Sequence, residues 1–359
     1  MKIAILGTRG IPNNYGGFEQ CAEYLSVGLV EKGHEVTVYS PSFHPYKEES
    51  YKRVEIIRKA SPKRLLGESA SSFIYDYFCF KDAVKQDFDI ILELGLITSS
   101  LSIILCRHRG KVIATNLDGL EWKRSKYGTV VKYFLKVAEK WAVKQSDVLI
   151  SDSKGIQDYL KTKYNVNSHF IAYGAEKITA FNEKTLAKYS LTKKKYNLII
   201  ARLEPENNIE PVLKAHEATE TDELIIIGNV TTKHGKYLAN TYKKNIRFLG
   251  GIYDLTTLND LRYFSNLYFH GHSVGGTNPS LLEAMGCSCA IIANENEFNK
   301  SVLGNNAYYF SNYKDIINIL KNEQNTEVIS QMKLTNLTKI ETVYNFEKIH
   351  HQLVGLLKK

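Results

Sequence analysis

Short apolar runs alternate along the chain with stretches in which apolar residues recur every three or four positions. Six runs in the first half predict buried parallel strands, at residues 2–6, 35–39, 54–57, 90–94, 112–115 and 148–151. The stretches at 18–31, 70–85 and 126–144 have the period of amphipathic helices. This alternation indicates an open, doubly wound α/β sheet, in which ligands bind beyond the carboxyl ends of the strands.

The alternation begins again after a polar, lysine-rich segment. Residues 176–195 lack a strand pattern, so we predict a linker there, between a first domain at 1–175 and a second at 196–359. The second half has five predicted strands, at 196–201, 223–227, 246–249, 267–270 and 290–293. Residues 327–358 predict one or two C-terminal helices, which can pack back on the first domain.

Composition favours an ordinary globular protein, with 43% hydrophobic and 24% charged residues. No apolar run reaches about eighteen residues, so we expect no transmembrane span, no signal peptide and a cytoplasmic location. The five cysteines form no C-x-x-C pair and indicate reduced thiols. The net charge of +9 calls for an acidic partner. Because no nucleic-acid-binding motif accompanies it, a diphosphate or an anionic membrane surface is favoured.

The most informative stretch is HGHSVGGTNPSLLEAM, at residues 270–285. Asn278 is a typical helix N-cap, and Pro279 suits the first helical position. Glycines in the preceding turn allow the backbone to approach a ligand closely, and free N–H groups at a helix start bind phosphate. We therefore predict a phosphate site formed by Gly275, Gly276, Thr277, Asn278, Pro279, Ser280 and Leu281.

Other side chains complete a predicted diphosphate site. Glu283 lies one turn into the helix, where a carboxylate suits the hydroxyl pair of a ribose. Arg202 follows the strand at 196–201, and its planar guanidinium can clamp a phosphate oxygen. His270 and His272 are either packing residues or ligand contacts. If the strand continues, the two point to opposite faces, so at most one reaches the site; His272 is the candidate.

Two loops of the first half are candidates for a second ligand. Residues 7–17, GTRGIPNNYGG, place Gly16 and Gly17 just before a helix, which suits a loop that closes over an anion or a sugar. An irregular connection is the alternative. The loop lacks G-x-G-x-x-G, and no acidic residue ends the second strand, so a dinucleotide fold loses ground.

The second loop, residues 116–126, follows a buried strand and is crowded with charge. Its charged residues and tryptophan suit a sugar-binding site, with Asp118 contacting the reacting hydroxyl and Trp122 stacking on a ring. Glu121 and Arg124 would contribute further polar contacts. A solvated turn in which Asp118 caps a helix is the alternative.

The helix predicted at 126–144 carries lysines at intervals of four, Lys132, Lys136, Lys140 and Lys144. The row is either a solvated helix face or a surface that docks on an anionic bilayer. Asp87 and Asp89 form a D-x-D pair, but they precede a strand and so lie at the wrong end of it for a site. We therefore expect no metal site and no cofactor.

Together these motifs resemble the retaining glycosyltransferases of the GT-B type, and more narrowly the bacterial rhamnosyltransferase-like group of capsule and O-antigen assembly. The resemblance covers nearly the whole chain. Its carriers are GTRGIPNNYGGFE, NLDGLEWKRSKY, SDSKGI, ARLEPENN and HSVGGTNPSLLEAM. It implies two Rossmann-like domains with a cleft between them, C-terminal helices, and metal-independent transfer from a nucleotide sugar to a lipid-linked glycan.

The resemblance also implies roles for single residues. Arg202 matches a basic residue that holds the donor diphosphate, and Asn207 stands where a lysine is usual. Glu283 matches the later member of a glutamate pair and would hold the donor ribose, whereas Gly275 occupies the earlier position, near the transferred sugar. A lost hydrogen-bond acceptor there fits a deoxy sugar, so rhamnose from dTDP-rhamnose is the expected donor.

Alternatives remain open at this point. One is a UDP-hexose-dependent glycosyltransferase. Another is a GT-B-shaped sugar-nucleotide epimerase, which would need acid/base carboxylates that the Gly275 position does not offer. A third is a nucleotide-binding partner without activity, since two expected side chains are absent. An NAD-dependent reductase is weakened by the missing G-x-G-x-x-G motif.

Overall fold

The computed structural model describes residues 1–14, 17–106, 110–117, 119–123, 127–322 and 325–357. Two compact units make up the chain: Met1–Tyr173 together with Phe346–Lys359, and Gly174–Asn345. Each unit is built on a sheet with helices packed on it. Within the described ranges, no helix is both long enough and apolar enough to cross a bilayer.

An eight-stranded sheet forms the first unit. Its strands are β1 (Lys2–Leu6), β2 (Glu35–Pro41), β3 (Ser50–Tyr51), β4 (Val54–Lys59), β5 (Ile90–Glu93), β6 (Val112–Leu117), β7 (Val148–Ser151) and β8 (His169–Phe170). They lie in the order β3-β4-β2-β1-β5-β6-β7-β8, and only the β3–β4 pair is antiparallel. The helices are α1 (Gly17–Glu31), α2 (Lys63–Ala83), α3 (Leu96–Leu105), α4 (Thr129–Gln145) and α5 (Lys154–Tyr164).

A six-stranded sheet forms the second unit, and its ladders are parallel. Its strands are β9 (Tyr196–Ile200), β10 (Glu223–Ile227), β11 (Ile246–Gly250), β12 (Tyr268–His270), β13 (Ile291–Asn294) and β14 (Tyr308–Phe310), in the order β11-β10-β9-β12-β13-β14. Its helices are α6 (Ile209–Glu217), α7 (Lys233–Thr241), α8 (Leu255–Phe264), α9 (Pro279–Gly286), α10 (Glu297–Leu303), α11 (Tyr313–Lys321) and α12 (Thr326–Thr342).

The last helix, α13 (Phe346–Leu357), belongs to the first unit, where it packs on α1. Alternation along β1 explains why both faces of this sheet are covered. Ile3 and Ile5 join the core on the side of α1 and α13, while Ala4 and Leu6 join the core under α2. The central strands are buried on both faces, so they appear in the sequence as continuous apolar runs.

The order of the second sheet creates a switch point between β9 and β12. From β9 the chain moves outward to β10 and β11, and it then returns to β12 on the other side of β9. Loops that leave the carboxyl ends of two such strands diverge and open a crevice for ligands. The loops after β9 and β12 carry Arg202 and Asn278.

Two differences from the sequence prediction concern the short strands and residues 176–195. The short strands β3, β8 and β14 were not predicted, because two or three residues give too little periodicity. Residues 176–195 lie within the second unit rather than forming a linker. Buried Asp260 accepts hydrogen bonds from the backbone N–H of Asn182, at 2.9 Å, and from the hydroxyl of Thr185, at 2.6 Å.

Candidate functional site

The helix start predicted at Asn278 forms with the expected geometry. Asn278 has the extended backbone of an N-cap, with φ −89° and ψ 122°, and Pro279 takes the first helical position. The side-chain oxygen of Asn278 accepts a hydrogen bond from the backbone N–H of Ser280 at 3.0 Å. Tyr268 and Ser280 also share a hydroxyl hydrogen bond of 2.7 Å, which joins α9 to the end of β12. The first turn of α9 is therefore held in place by side chains.

The turn before this helix depends on glycine. Gly275 has φ +134°, a conformation that residues with a Cβ rarely adopt, and the space where a Cβ would lie is open. The position at which the resemblance implies a glutamate is thus a glycine in this chain, with a backbone suited to glycine. Gly271 is constrained differently, because a Cβ there would come within 2.1 Å of the carbonyl oxygen of Asn207. The two loops approach each other too closely for a side chain at that point.

Hydrogen bonds join the loop after β9 to the loop after β12. The side-chain amide of Asn208 donates to the carbonyl of Gly271 at 2.8 Å. The carbonyl of Glu206 accepts from the hydroxyl of Ser273 at 2.8 Å and from its backbone N–H at 3.0 Å. We call residues 201–208 and 271–278, linked in this way, the switch-point corner. Its two halves are fixed relative to each other without a ligand.

Asn207 and Arg202 lie in the first half of the switch-point corner. Asn207 is 4% exposed, and its side-chain amide donates to the carbonyl of Arg202 at 2.7 Å. Asn207 thus fixes the backbone that carries Arg202, a function that a lysine at this position would not perform in the same way. The side chain of Arg202 is exposed and makes no hydrogen bond or ion pair with the residues that the structure describes.

Arg262 is a residue that the sequence analysis missed. It lies on α8, is 1% exposed, and forms an ion pair with the carboxylate of Glu283. A second donor of the guanidinium reaches the side-chain oxygen of Asn259 at 3.3 Å. Burial opposes the charge of Arg262 most strongly, but the carboxylate of Glu283, together with the nearby Tyr268, Cys287 and Cys289, raises the pKa of Arg262 overall. The sequence contained one indication that Arg262 is buried. Leu258, Leu261 and Arg262 are spaced as residues on one buried face of a helix are.

His270 is the last residue of β12 and His272 lies in the loop after it, so the continuing strand on which the predicted opposite faces depended does not form. The strand ends at His270, and the rings of His270 and His272 stack with centroids 4.5 Å apart and an interplanar angle of 14°. Burial, and then the nearby His272, lower the pKa of the fully buried His270 well below its usual value. The carbonyl of His272 accepts side-chain amides of Asn296 and Asn299, each at 3.0 Å.

In the first unit, Trp122 is held by a buried carboxylate. Glu139 is fully buried on α4 and accepts hydrogen bonds from the indole N–H of Trp122 at 3.1 Å and the ammonium of Lys163 at 3.0 Å. The ammonium of Lys136 lies 4.4 Å from the centroid of the Trp122 ring. Lysine therefore already occupies the neighbourhood of the ring that was predicted to stack on a sugar. Glu121 is half-buried and lies beside Trp122 in the short 3-10 turn Glu121–Lys123.

The remaining candidates of the first unit divide into two groups. Gly17 is the first residue of α1. Gly16, Asp118 and Arg124, which the sequence analysis selected, lie outside the described residues.

Two buried carboxyl groups lie at the carboxyl end of β5. Glu93 is fully buried and Asp76 is 3% exposed. Burial raises the pKa of Asp76 to about 7, and burial together with the charge of Asp76 raises the pKa of Glu93 well above its usual value. A Cβ on Gly7, which has φ +74°, would come within 1.9 Å of a Glu93 carboxyl oxygen, so the loop after β1 rests directly on this pair.

Each half of the chain matches a family of known proteins. Residues 1–176 match a family described as a domain of unknown function, DUF1972, and residues 181–333 match the family of glycosyl transferases group 1. An uncharacterized glycosyltransferase of Methanocaldococcus jannaschii is 24% identical over 97% of this chain and 94% of its own length.

Solved structures agree with these matches in fold. The sucrose-phosphate synthase of Thermosynechococcus elongatus superposes with a TM-score of 0.85 at 15% identity, covering 99% of this chain and 98% of that one. Anabaena HepE in complex with UDP-glucose superposes with a TM-score of 0.76 at 14% identity, covering 100% of this chain and 99% of that one. The predicted GT-B fold is thereby confirmed. Residues 181–333 of the second unit are thus similar to the glycosyl transferases of group 1.

Proposed function

We propose that this protein is a glycosyltransferase that moves a sugar, with retention of anomeric configuration, from a nucleotide diphosphate to a glycan acceptor. The observation that carries the proposal is the switch-point corner, which joins an asparagine-capped helix start to a loop whose arginine has no partner among the described side chains. Such a corner suits a diphosphate, because N–H groups and a guanidinium both bind phosphate oxygens. Anabaena HepE, which has the same fold, binds UDP-glucose.

Within this site each residue has a proposed role. The backbone N–H groups at residues 276–281 and the guanidinium of Arg202 would hold the diphosphate. The carboxylate of Glu283, anchored by Arg262, would bind the donor ribose. His272 would lie near the sugar or a phosphate, and Asn207 would support Arg202 through its backbone.

We infer a front-face substitution as the chemistry. The bond between the anomeric carbon and the diphosphate oxygen breaks ahead of bond formation, and the acceptor oxygen attacks the same face of the sugar. The leaving phosphate oxygen takes the proton of the acceptor hydroxyl, so atoms and charge balance. Arg202 and the N–H groups stabilise the charge that grows on the diphosphate, and a single preorganised donor of this kind contributes roughly 2.7–4 kcal/mol. No metal is needed in this scheme.

The first unit would hold the acceptor. Gly16, Gly17, Asp118, Glu121, Trp122 and Arg124 are the proposed contacts there, with Trp122 at the border of the site because the ammonium of Lys136 lies 4.4 Å from the centroid of its ring. We propose a lipid-linked glycan of surface polysaccharide synthesis as the acceptor, and a cytoplasmic protein that is peripheral on the membrane. The net charge of +9 and the lysines of α4 support an anionic partner of this kind.

A donor-hydrolysis screen tests the proposed function. dTDP-rhamnose, UDP-glucose, UDP-galactose and GDP-sugars would each be incubated with the protein, with and without EDTA, and release of the nucleoside diphosphate measured. We expect the highest rate with dTDP-rhamnose, unchanged by EDTA, and at least a hundredfold lower rate for Arg202→Ala. Preference for UDP-glucose would favour the UDP-hexose alternative, which the HepE complex supports. Binding of donors without turnover on any acceptor would contradict catalysis.

A further inference from the structure

Helix α4 presents an apolar stripe to solvent. Val130, Phe134, Val137 and Trp141 follow at intervals of four, three and four residues, which places them on one side of the helix. Val130 is 83% exposed, Phe134 42% and Trp141 38%. The other side of the helix is buried, through Leu135, Ala138, Glu139, Ala142 and Val143. One side of α4 therefore packs on the first unit, and the opposite side remains apolar.

The neighbouring helix α3 extends this surface. Leu101, Ile104 and Leu105 lie on one side of α3 and are 41%, 42% and 60% exposed. The two helices pack against each other. We call these three residues together with Val130, Phe134, Val137 and Trp141 the α3–α4 apolar face. A helix that faces water normally has polar residues outward, so an exposed apolar surface of this kind marks an interaction site.

Cationic side chains border the α3–α4 apolar face. Lys136, Lys140 and Lys144 are exposed and recur every four residues on α4, and Tyr133, in the same row, is 71% exposed. Lysine can lay its aliphatic stem along an apolar surface and keep its ammonium in water. Tyrosine and tryptophan favour the boundary between lipid and water, because one end of each is apolar and the other polar. Apolar and cationic groups thus alternate around one outward surface.

Charge decides between possible partners of this surface. A second copy would bring two lysine rows of a protein with net charge +9 into contact, which is repulsive. A nucleic acid would pair with the lysines but would not cover the aliphatic Val130 and Leu105. An anionic bilayer satisfies both, since its phosphates attract the lysines and its acyl boundary accepts the apolar side chains.

We propose that the α3–α4 apolar face binds the surface of an anionic bilayer, with Val130 and Trp141 entering the acyl boundary and Lys140 and Lys144 at the lipid phosphates. The α3–α4 apolar face would be the surface responsible for the peripheral membrane location, and in this respect the inference rests on the proposed function. The binding itself requires neither donor nor acceptor, so it can be tested separately from sugar transfer.

Sedimentation with vesicles tests the proposal. The full chain would be mixed with vesicles of phosphatidylcholine alone or of phosphatidylcholine and phosphatidylglycerol in equal parts. We expect at least tenfold stronger binding to the anionic vesicles. The double variant Val130→Ser/Trp141→Ser should bind these at least tenfold more weakly than the wild type, and Lys140→Gln/Lys144→Gln should lose the preference for anionic lipid.

Matched controls come from the second unit. Val328 and Leu334 on α12 are 41% and 59% exposed, so Val328→Ser/Leu334→Ser also removes two exposed apolar side chains, but away from the proposed face. Lys243→Gln/Lys244→Gln removes two exposed lysines from the same unit. Both controls should bind like the wild type. All these positions are exposed, and unchanged thermal unfolding would confirm that each variant is folded.

Fluorescence gives a second readout. The chain has two tryptophans, and Trp141 should shift to the blue and be quenched by nitroxide-labelled lipid when anionic vesicles are added. The Trp141→Phe variant should keep vesicle binding and lose this quenching.

Three outcomes would overturn the proposal: equal binding to neutral and anionic vesicles, wild-type binding by Val130→Ser/Trp141→Ser, or a dimer in light scattering that this variant abolishes. Measuring donor hydrolysis by the same variants separates the test of membrane binding from the test of sugar transfer. If the proposed function fails, vesicle binding survives without turnover, and if the docking surface fails, hydrolysis of the soluble donor survives.

Discussion

The carboxyl ends of the two sheets are built in different ways. In the second unit the loops after β9 and β12 are joined by hydrogen bonds from Asn208 and Ser273, and the helix start is fixed by its own cap. In the first unit the corresponding edge rests on buried carboxyl groups, with Glu93 under the loop after β1. Backbone and amide groups hold their arrangement at any pH, whereas a buried carboxyl group depends on its proton. The second unit therefore has a corner held by hydrogen bonds, and the first has an edge whose buried carboxyl groups we expect to respond to pH.

The largest expected effect concerns the ion pair of Arg262 with Glu283, which joins α8 to α9. The change Glu283→Leu leaves the guanidinium of Arg262 buried without a counter-charge, which typically costs about 3–5 kcal/mol of unfolding free energy. The double variant Arg262→Met/Glu283→Leu should recover much of that loss, because no buried charge remains. Urea unfolding of the two single variants and the double variant measures the coupling. If the losses of unfolding free energy in the two single variants simply add in the double variant, Arg262 and Glu283 do not stabilise the fold as a pair.

Arg202 is the complementary case, because its side chain is exposed and the fold does not depend on it. Arg202→Ala should lower kcat by about a hundredfold or more, through loss of charge stabilisation on the leaving diphosphate, and leave thermal unfolding unchanged. Arg202→Lys should fall between, since lysine keeps the charge but lacks the planar fork. Steady-state kinetics with the preferred donor would show this order. Near-normal turnover by Arg202→Ala would exclude it from the site.

Contacts between residues close in sequence could be predicted at the carboxyl ends of the two sheets, whereas contacts between residues distant in sequence could not. The cap at Asn278 and the proline after it are local, and their prediction needed only neighbouring residues. The bond from Asn208 to Gly271 joins residues far apart in the chain, as does the pair of Arg262 and Glu283, and no periodicity encodes such pairings.

The buried acids show the same limit from another side. From the sequence alone, a carboxylate such as Glu139 is expected to face water. It is buried in the structure because Trp122 and Lys163, which are distant in sequence, donate hydrogen bonds to it. Glu93 has the same problem within the apolar run of β5. The α/β fold was predictable because strand and helix periods repeat, whereas the polar contacts that complete each edge are single, long-range events.

The pH dependence of stability sharpens the contrast between the two edges. In the unfolded chain Asp76 and Glu93 have ordinary carboxyl pKa values, while burial raises the pKa of Asp76 to about 7 and that of Glu93 well above its usual value. At these two groups the folded state then binds more protons than the unfolded state above about pH 4, so the stability that this pair contributes falls as pH rises toward 8. Each such proton contributes a slope of about 1.4 kcal/mol per pH unit.

Urea unfolding between pH 5 and 8 would measure this slope, with Glu93→Gln as the test variant. Glutamine keeps the size of the side chain and removes one titrating group, so the slope should become shallower. Glu295→Gln, which changes an exposed carboxylate in the second unit, is the matched control and should leave the slope in this range unchanged. An unchanged slope in Glu93→Gln would mean that the buried pair does not govern the response to pH.

The smallest expected effect tests how rigid the turn of the second unit is. Gly275 has φ +134°, so Gly275→Ala forces an unfavourable backbone conformation, for which we expect a loss of about 1–3 kcal/mol in unfolding free energy. Gly128 is the matched control, because its Cβ position is also open while its φ of −71° suits alanine. Urea unfolding should therefore show a loss for Gly275→Ala and none for Gly128→Ala. If both variants match the wild type, the turn relaxes to an ordinary conformation at no cost, and the contrast between a rigid corner and a pH-dependent edge is lost at this point of the fold.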